Sequence, residues 1–326
     1  MSGRFVGVDS AQAAASFETF ISDPAQVVAW QTGFMILTIA IAARGVGRGL
    51  EVTVRYLMPA LFFLLVALVI YSGVTSGRFV DGLAFLFQPD LERFDSSSLI
   101  TAMGQAFFTL SLGMGAIMAY GAYMPKGSSI VGTAATIAVL DTSVALMSGL
   151  VIFPLVFANG LESSAGPGLM FITLPIAFGQ MTGGQVFGTA FFVLVSFAAI
   201  TSSISLLEPA VAWVVEKTSL GRVKAASLVG GVAWLLGLGS ALSFNLGADW
   251  TLPNGFNFFD TMDYVSTNIL LPLGGILIAV FAGWRLSGET LQEQMQEDQG
   301  ALILWRFLTR YLAPVGVLIV FIVTIF

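Results

Sequence analysis

Cysteine and histidine are both absent from this 326-residue sequence, and charged residues make up only 10% of it. These absences exclude thiol nucleophiles, cysteine- or histidine-held haem and iron–sulfur groups, histidine-bound zinc and a Ser-His-Asp triad. A net charge of −6 argues against nucleic acid as a partner. Soluble domains carry about 25% charged residues. The shortage of charge, with 56% hydrophobic residues and a mean hydropathy of +0.90, predicts a chain that lies in a lipid bilayer.

Long apolar runs predict an all-α polytopic membrane protein, since a membrane helix needs about 20 mostly apolar residues. We predict eight spans, at about 27–43, 53–72, 99–123, 129–158, 185–216, 223–243, 261–284 and 303–326. The stretch 161–184 is too short to span and is interrupted by Pro167, Gly168 and Pro175. It is predicted to form an external helical lid.

Basic residues predict the orientation, because cytoplasmic loops are enriched in lysine and arginine. One set of loops and helix ends contains ten of them: Arg44, Arg48, Arg55, Lys126, Lys217, Arg222, Lys224, Arg285, Arg306 and Arg310. The alternate set contains only Arg4, Arg78 and Arg93. The first set is therefore expected in the cytoplasm, with both termini and the segment 1–26 outside. Because no signal peptide precedes that external start, we expect the chain to be incomplete there.

Asp141 lies near the middle of the fourth predicted span. A charge at the centre of a membrane helix costs about 2.5–3.5 kcal/mol on insertion scales, so it usually has a function. The alternatives are an acid that faces a partner elsewhere in the bundle, or a span whose bounds are drawn wrongly. No basic residue lies in the middle of another span, which favours a cation from solution.

Polar residues also interrupt the third and fifth predicted spans. In the third, Gln105, Thr109 and Ser111 precede Gly113 and Gly115. In one interpretation the small residues of this segment let it pack closely against another helix. In the other the helix is unwound at 113–115, which would free backbone groups to bind ligands. In the fifth, Ala198, Thr201 and Ser202 share one helix face. Their hydroxyls either bond back to their own helix or suit a small hard cation such as sodium.

These motifs resemble the neurotransmitter:sodium symporter family. Phe107-Phe108-Thr109-Leu110-Ser111-Leu112-Gly113-Met114-Gly115, with Tyr120 and Tyr123, resembles its broken sixth helix, and Ile200-Thr201-Ser202-Ser203-Ile204 its eighth. Arg44-Gly45-Val46, Gly49-Leu50-Glu51 and Met58-Pro59 resemble the connection of its fourth and fifth helices, and Asp260-Thr261-Met262-Asp263 the start of its tenth. The resemblance implies the leucine-transporter-type inverted-repeat bundle. The chain would contain helices four to eleven in a transmembrane region 27–326. Helices one to three would be missing, apart from a remnant of the third helix and its following loop in the external segment 1–26.

The resemblance also implies roles for individual residues. Thr109 and Asp141 would bind the sodium ion that touches the substrate, and a second sodium would be held by the Ala198 carbonyl, Thr201 and Ser202. The residues implied for the substrate pocket are Phe108, Thr109, Ser111, Met114, Ser202 and Leu206. Asp263 and Glu216 would be the acids of the outer and inner gates, and Tyr123 would support the inner one.

Departures from the family pattern suggest what is transported and with which ions. Asp141 stands where asparagine is common, and Ala145 replaces the serine that binds chloride in animal relatives, so chloride is not expected to be required. Met114 stands where some relatives have phenylalanine. A flexible thioether adapts its shape, so a hydrophobic or aromatic amino acid is expected as substrate.

The function expected is sodium-coupled symport of an amino acid by alternating access, in the inner (plasma) membrane, with sodium as coupling ion and no other cofactor. An inert, N-terminally truncated fragment is the alternative. An enzyme is not expected, because Ser111 and Ser202 have no histidine to activate them. A channel is disfavoured because the polar groups form compact clusters and no repeated rings. The roles of Gln105 and Glu208 stay open.

Overall fold

The computed structural model describes residues 10–45, 51–92, 94–125, 127–160, 168–253, 255–295 and 299–325, which are almost entirely helical. In chain order the helices are α1 (Ser10–Ser22), α2 (Pro24–Ala43), α3 (Glu51–Thr75), α4 (Phe79–Phe87), α5 (Ser96–Thr109), α6 (Ala116–Gly121), α7 (Ile130–Ala158), α8 (Leu169–Gln180), α9 (Gly184–Lys217), α10 (Arg222–Leu242), α11 (Phe258–Arg285), α12 (Gly288–Met295) and α13 (299–325). The all-helical prediction is confirmed. Arg4, Arg48, Arg93, Lys126 and Pro167, which the sequence analysis used, lie outside the described residues, as do 46, 49 and 50.

Seven helices in this part of the chain are long and apolar enough to cross a membrane. They are Pro24–Ala43, Val54–Thr75, Ile130–Ala158, Gly184–Lys217, Arg222–Leu242, Phe258–Arg285 and Leu302–Val323. The remaining predicted span, the third (99–123), is not one helix, because α5 and α6 are separated by residues 110–115. With 14 and 6 residues, neither is long enough to span alone.

The start of α2 illustrates how local sequence sets a helix boundary. Asp23 accepts hydrogen bonds from the backbone N–H groups of Ala25 (3.0 Å) and Gln26 (3.2 Å), and Pro24 occupies the first turn. Aspartate at the N-cap and proline at the first position are both favoured there. The helix therefore begins at Pro24, slightly before the predicted residue 27.

The chain divides into two compact units, which are described separately. The first contains residues Met1–Pro89, Ser143–Leu207 and Val214–Trp250. Its core is formed where α3, α7, α8 and α9 pack, with fully or nearly fully buried Leu65, Leu68, Leu155, Phe178 and Phe191. Residues 168–184 of the predicted lid are described. They contain α8, whose residues Leu174–Phe178 are buried in this unit. Their burial follows from their uniformly apolar composition.

The second unit contains residues Asp90–Thr142, Glu208–Trp213 and Thr251–Phe326. Helices α11 and α13 pack against each other, and α5 packs against both of them. Helix α5 begins with a capping box in which Asp95 accepts from the Ser98 backbone N–H at 2.8 Å. This unit contains the interrupted third span and therefore most of the candidate site.

Candidate functional site

Helix α5 ends in the middle of the third predicted span and is followed by an irregular segment, 110–115. The end has the hydrogen bonds of a Schellman motif. Ser111 N donates to the Phe108 carbonyl at 3.0 Å, and Leu112 N donates to the Phe107 carbonyl at 2.9 Å. Ser111 occupies the left-handed position of this motif with a φ of 53°, the only positive φ at a non-glycine among the described residues.

The predicted break is confirmed, but it begins at Leu110 and not at Gly113. Gly113 and Gly115 do have left-handed φ values of 84° and 80°, and Gly115 is the residue from which α6 starts. The earlier left-handed position is filled by Ser111, whereas helix ends of this type usually place glycine or asparagine there. A sequence rule that looks for glycine therefore places the break too late.

Backbone-to-backbone contact holds the irregular segment against α11. A Cβ on Gly113 would overlap the Leu271 carbonyl oxygen, and a Cβ on Gly274 would overlap the Gly113 carbonyl oxygen. A Cβ on Gly275 would lie 2.9 Å from Phe107 Cε1, closer than real Cβ atoms approach. The sequence analysis missed Gly274 and Gly275, although two adjacent glycines inside an apolar helix signal a close backbone approach.

The side chains of Thr109 and Asp141 meet at this break. Thr109 is the last residue of α5, and Asp141 lies near the middle of α7. Thr109 Oγ1 lies 2.8 Å from Oδ1 and 2.9 Å from Oδ2 of the carboxylate. A hydroxyl has one proton and two lone pairs, so it donates to one carboxylate oxygen at a time and keeps acceptor capacity. The sequence placed both residues in one ion site, and the structure brings them together.

The charge of this pair is not neutralised within the described residues. The ion pairs there join Arg55 to Glu51, Arg78 to Asp81 and Lys217 to Glu216, and none includes Asp141. Asp141 is half-buried in a helix that is apolar enough to cross a membrane. A carboxylate and a hydroxyl at that position provide the oxygen ligands that hard cations prefer.

The second predicted set of oxygen ligands lies in the first unit, on α9. Thr201 is 5% exposed, and its hydroxyl donates to the Ala198 carbonyl at 2.9 Å, with the Phe197 carbonyl at 3.1 Å. Ser202 is exposed. The structure therefore brings Ala198 and Thr201 together through the back-bonded hydroxyl that the sequence analysis considered as an alternative. Their binding of sodium stays a prediction.

The residues predicted to line the substrate pocket occupy both units. Phe108, Ser111 and Met114 lie at or beside the break, where Phe108 is 52% exposed. Ser202 and Leu206 lie on α9, with Leu206 50% exposed. A cavity of about 400 Å³ borders the break on the side of α11 and α13. Ser111 lines this cavity, whereas Phe108 and Met114 do not.

The predicted gate residues are exposed. The Glu216 side chain is 73% exposed, with its Oε1 3.6 Å from Lys217 Nζ, and Tyr123 is 52% exposed. Asp263 is exposed near the start of α11, and its backbone carbonyl accepts from the Ser266 hydroxyl at 3.1 Å. The structure places these residues at helix ends, and their gating roles stay predictions.

Two buried polar features were missed or left open by the sequence analysis. The Ser203 hydroxyl lies 2.9 Å from the Thr38 hydroxyl, which joins α9 to α2. Glu208 is 1% exposed, and the following Pro209 approaches Gly115, on which a Cβ would lie 3.5 Å from the proline ring. Thr38 is isolated in an apolar run, so only its neighbours in the fold reveal its contact.

Together these features define a class of protein. Multiple apolar helices, one of them broken beside an unneutralised carboxylate and hydroxyl, are typical of multi-pass secondary transporters. The model of the Sodium:neurotransmitter symporter family matches residues 12–326, and the chain belongs to that family. The family is one of sodium-coupled transporters and not of enzymes.

Individual relatives agree with this assignment. The chain is 36% identical to the uncharacterized sodium-dependent transporter YhdH of Bacillus subtilis (strain 168) over 98% of its own length and 71% of that protein. It is 34% identical to an uncharacterized sodium-dependent transporter of Haemophilus influenzae, over 94% of this chain and 67% of that one. The crystal structure of MhsT in complex with L-phenylalanine matches with a TM-score of 0.87 and 42% identity, over 98% of this chain and 72% of MhsT. The predicted leucine-transporter-type fold is confirmed.

Proposed function

We propose that this protein is a symporter that couples the inward flow of sodium to the uptake of a hydrophobic or aromatic amino acid across the inner (plasma) membrane. The observation that carries the proposal is the Thr109 hydroxyl within 2.9 Å of both Asp141 carboxylate oxygens at a helix break. An unneutralised carboxylate at membrane depth is costly unless a cation binds it. Because the chain belongs to a family of sodium symporters, we take this cation to be sodium.

In this proposal two groups of oxygen atoms hold sodium. Asp141 and Thr109 hold the ion next to the substrate. The Ala198 carbonyl, Thr201 and Ser202 hold a second ion. The Thr201 hydroxyl uses its proton on a backbone carbonyl, which leaves its oxygen lone pairs free to coordinate a cation.

The substrate would lie at the break, where the backbone has unused hydrogen-bonding groups. Among the described residues no backbone N–H donates to the Thr109 carbonyl, so this oxygen can accept a substrate ammonium group. The side chains that would surround the substrate are Phe108, Ser111, Met114, Ser202 and Leu206. The crystal structure of MhsT, which is similar over 98% of this chain, contains L-phenylalanine. This supports an apolar side chain on the substrate.

Alternating access needs groups that close each side of the site. We assign the outer gate to Asp263 and the inner gate to Glu216, and Tyr123 would support the inner gate. Their exposure at the ends of helices suits side chains that pair only in one conformation of the transport cycle. The rocking of one helix bundle against another would then expose the site to each side in turn.

Sodium-dependent binding of radiolabelled L-phenylalanine to the purified protein tests the proposal. We expect binding in sodium but not in potassium at equal ionic strength. Asp141→Ala should abolish it, and Thr109→Val should weaken it about tenfold or more, since a hydrogen bond to a charged group contributes about 1.5–3 kcal/mol. Thr142→Val is the matched control, because the Thr142 hydroxyl bonds only to the carbonyl of Ala138 in its own helix. Binding that is equal in potassium, or unchanged in Asp141→Ala, would refute the proposal.

Chloride should not be required for this activity. Asp141 supplies a fixed negative charge beside the sodium ion, so a second anion is not needed to balance it. Replacement of chloride by gluconate should leave sodium-dependent L-phenylalanine binding and uptake unchanged. A several-fold loss in gluconate would contradict this prediction.

A further inference from the structure

Exposed aromatic side chains cluster at the end of α11 and on the part of α13 that packs beside it. Trp284 is 56% exposed, Phe307 56% and Tyr311 49%. The ring of Tyr311 lies 5.9 Å from that of Trp284 and 5.7 Å from that of Phe307. Trp284 lies at the end of α11, a helix that is apolar enough to span a membrane, and Phe307 and Tyr311 lie beside it on α13. Tryptophan and tyrosine at such ends typically lie at the level of the lipid headgroups.

One arginine in this cluster is held in a fixed orientation. Arg310 Nε donates to the Gly283 carbonyl, and its guanidinium carbon lies 5.6 Å from the centre of the Trp284 ring. Gly283 permits this approach, because a Cβ there would lie 2.8 Å from Arg310 Cγ. The two terminal nitrogens of Arg310 make no hydrogen bond within the described residues. They are therefore available as a preoriented pair of donors.

Two further arginines stand near it, and no carboxylate pairs with any of the three in the described part of the chain. Arg285 follows Trp284 and is exposed. Arg306 lies one helical turn before Arg310, and its terminal nitrogen is 3.5 Å from the Leu286 carbonyl. The buried Nε of Arg306 has no hydrogen-bond partner among the described residues. The cluster thus combines three positive charges, unused donors and an aromatic surface.

We propose that Arg285, Arg306 and Arg310, with the aromatic cluster of Trp284, Phe307 and Tyr311, form a binding site for the phosphate headgroup of an anionic phospholipid. A guanidinium group matches phosphate through two parallel hydrogen bonds. The exposed aromatic rings would contact the glycerol and the upper acyl chain. A lipid is favoured over a soluble phosphate because the arginines adjoin an exposed apolar surface at the end of the α11 span. This site is separate from the sodium site, and the inference does not depend on the proposed function.

Native mass spectrometry of the purified protein, titrated with phosphatidylglycerol or phosphatidylcholine, tests the proposal. We expect a preference for phosphatidylglycerol that weakens about fivefold for each of Arg285→Gln and Arg310→Gln, the factor that corresponds to the attraction of one basic residue to an anionic leaflet. Arg310→Lys keeps the charge but loses the Nε bond and the planar fork, so its affinity should fall between wild type and Arg310→Gln.

Arg78→Gln is the control, because it removes one exposed positive charge that is already paired with Asp81. It should bind phosphatidylglycerol like the wild type. An equal loss in Arg78→Gln, or unchanged binding in Arg285→Gln and Arg310→Gln, would overturn the proposal. Wild-type affinity in Arg310→Lys would overturn the role of the guanidinium geometry. Displacement of the bound lipid by excess inorganic phosphate would identify a soluble phosphate as the ligand and overturn the lipid assignment.

Discussion

Ser111 is a small residue in a backbone conformation that favours glycine. Its φ of 53° lies in the left-handed region, which costs an L-residue with a Cβ roughly 1–2 kcal/mol. The two Schellman hydrogen bonds and the contact of the following Gly113 with α11 hold the segment in place despite that cost. Strain of this kind is common at functional sites. It directs the chain out of α5 immediately after Thr109, whose hydroxyl meets Asp141.

Glycine at this position should relieve the strain. Ser111→Gly is expected to stabilise the protein by about 1 kcal/mol, measured as a higher midpoint of thermal unfolding in detergent. Ser111→Ala is the matched control, since it also removes the hydroxyl but keeps the Cβ, and it should give no such gain. If Ser111→Gly is no more stable than Ser111→Ala, the left-handed conformation is not strained in the protein.

At the scale of the helices, the broken segment and α11 of the second unit approach each other closely. It depends on three glycines, Gly113, Gly274 and Gly275, at each of which a Cβ would collide with backbone or with the Phe107 ring. Helix α11 thus forms a support against which the break rests. We infer that the position of the Thr109 hydroxyl depends on this support, because Phe107 and Gly113 stand on either side of it in sequence.

Replacing a glycine of α11 by alanine should disturb this support, because it adds a methyl group at the contact. Gly274→Ala should lower the midpoint of thermal unfolding, because overpacking costs about 1–3 kcal/mol, and it should weaken sodium-dependent L-phenylalanine binding. Gly231→Ala on α10 is the matched control, because nothing lies within 4 Å of a Cβ there. It should be neutral or stabilising, since alanine is favoured over glycine in helices by about 0.5–1 kcal/mol. Equal behaviour of the two variants would show that the backbone contact is unimportant.

At the scale of the whole molecule, ion binding and stability are linked. A ligand that binds only the folded protein stabilises it by RT ln(1 + [L]/Kd), or about 2.7 kcal/mol at 100 times Kd. At the Thr109–Asp141 pair, the balancing of an unneutralised carboxylate charge in a membrane helix contributes to the affinity for the cation and so to this stabilisation.

Sodium should therefore raise the midpoint of thermal unfolding of the purified protein, compared with potassium at the same ionic strength. The increase should be lost in Asp141→Ala and kept in Thr142→Val. The control matters because general salt effects act on both variants alike. An equal sodium effect in Asp141→Ala would place the stabilising ion somewhere other than the Thr109–Asp141 pair.

The sequence alone determined the membrane character, the helical class and the family resemblance. Their signals are local: a scarcity of charge, runs of apolar residues of spanning length, and short motifs at the break and on α9. The family resemblance also implied Thr109 and Asp141 as partners, although 32 residues separate them. A lone carboxylate in an apolar run is conspicuous because burying it is costly, so composition is enough to mark it.

Only the tertiary structure decided where the helix breaks and what supports the break. The left-handed position at Ser111 and the contact of Gly113 with Gly274 are set by hydrogen bonds and by the packing of α11. Tertiary packing also sets the contact of Thr38 with Ser203 and the position of Arg310 over the Trp284 ring. Such features depend on which surfaces meet across long sequence separations, and periodicity and composition carry no information about that.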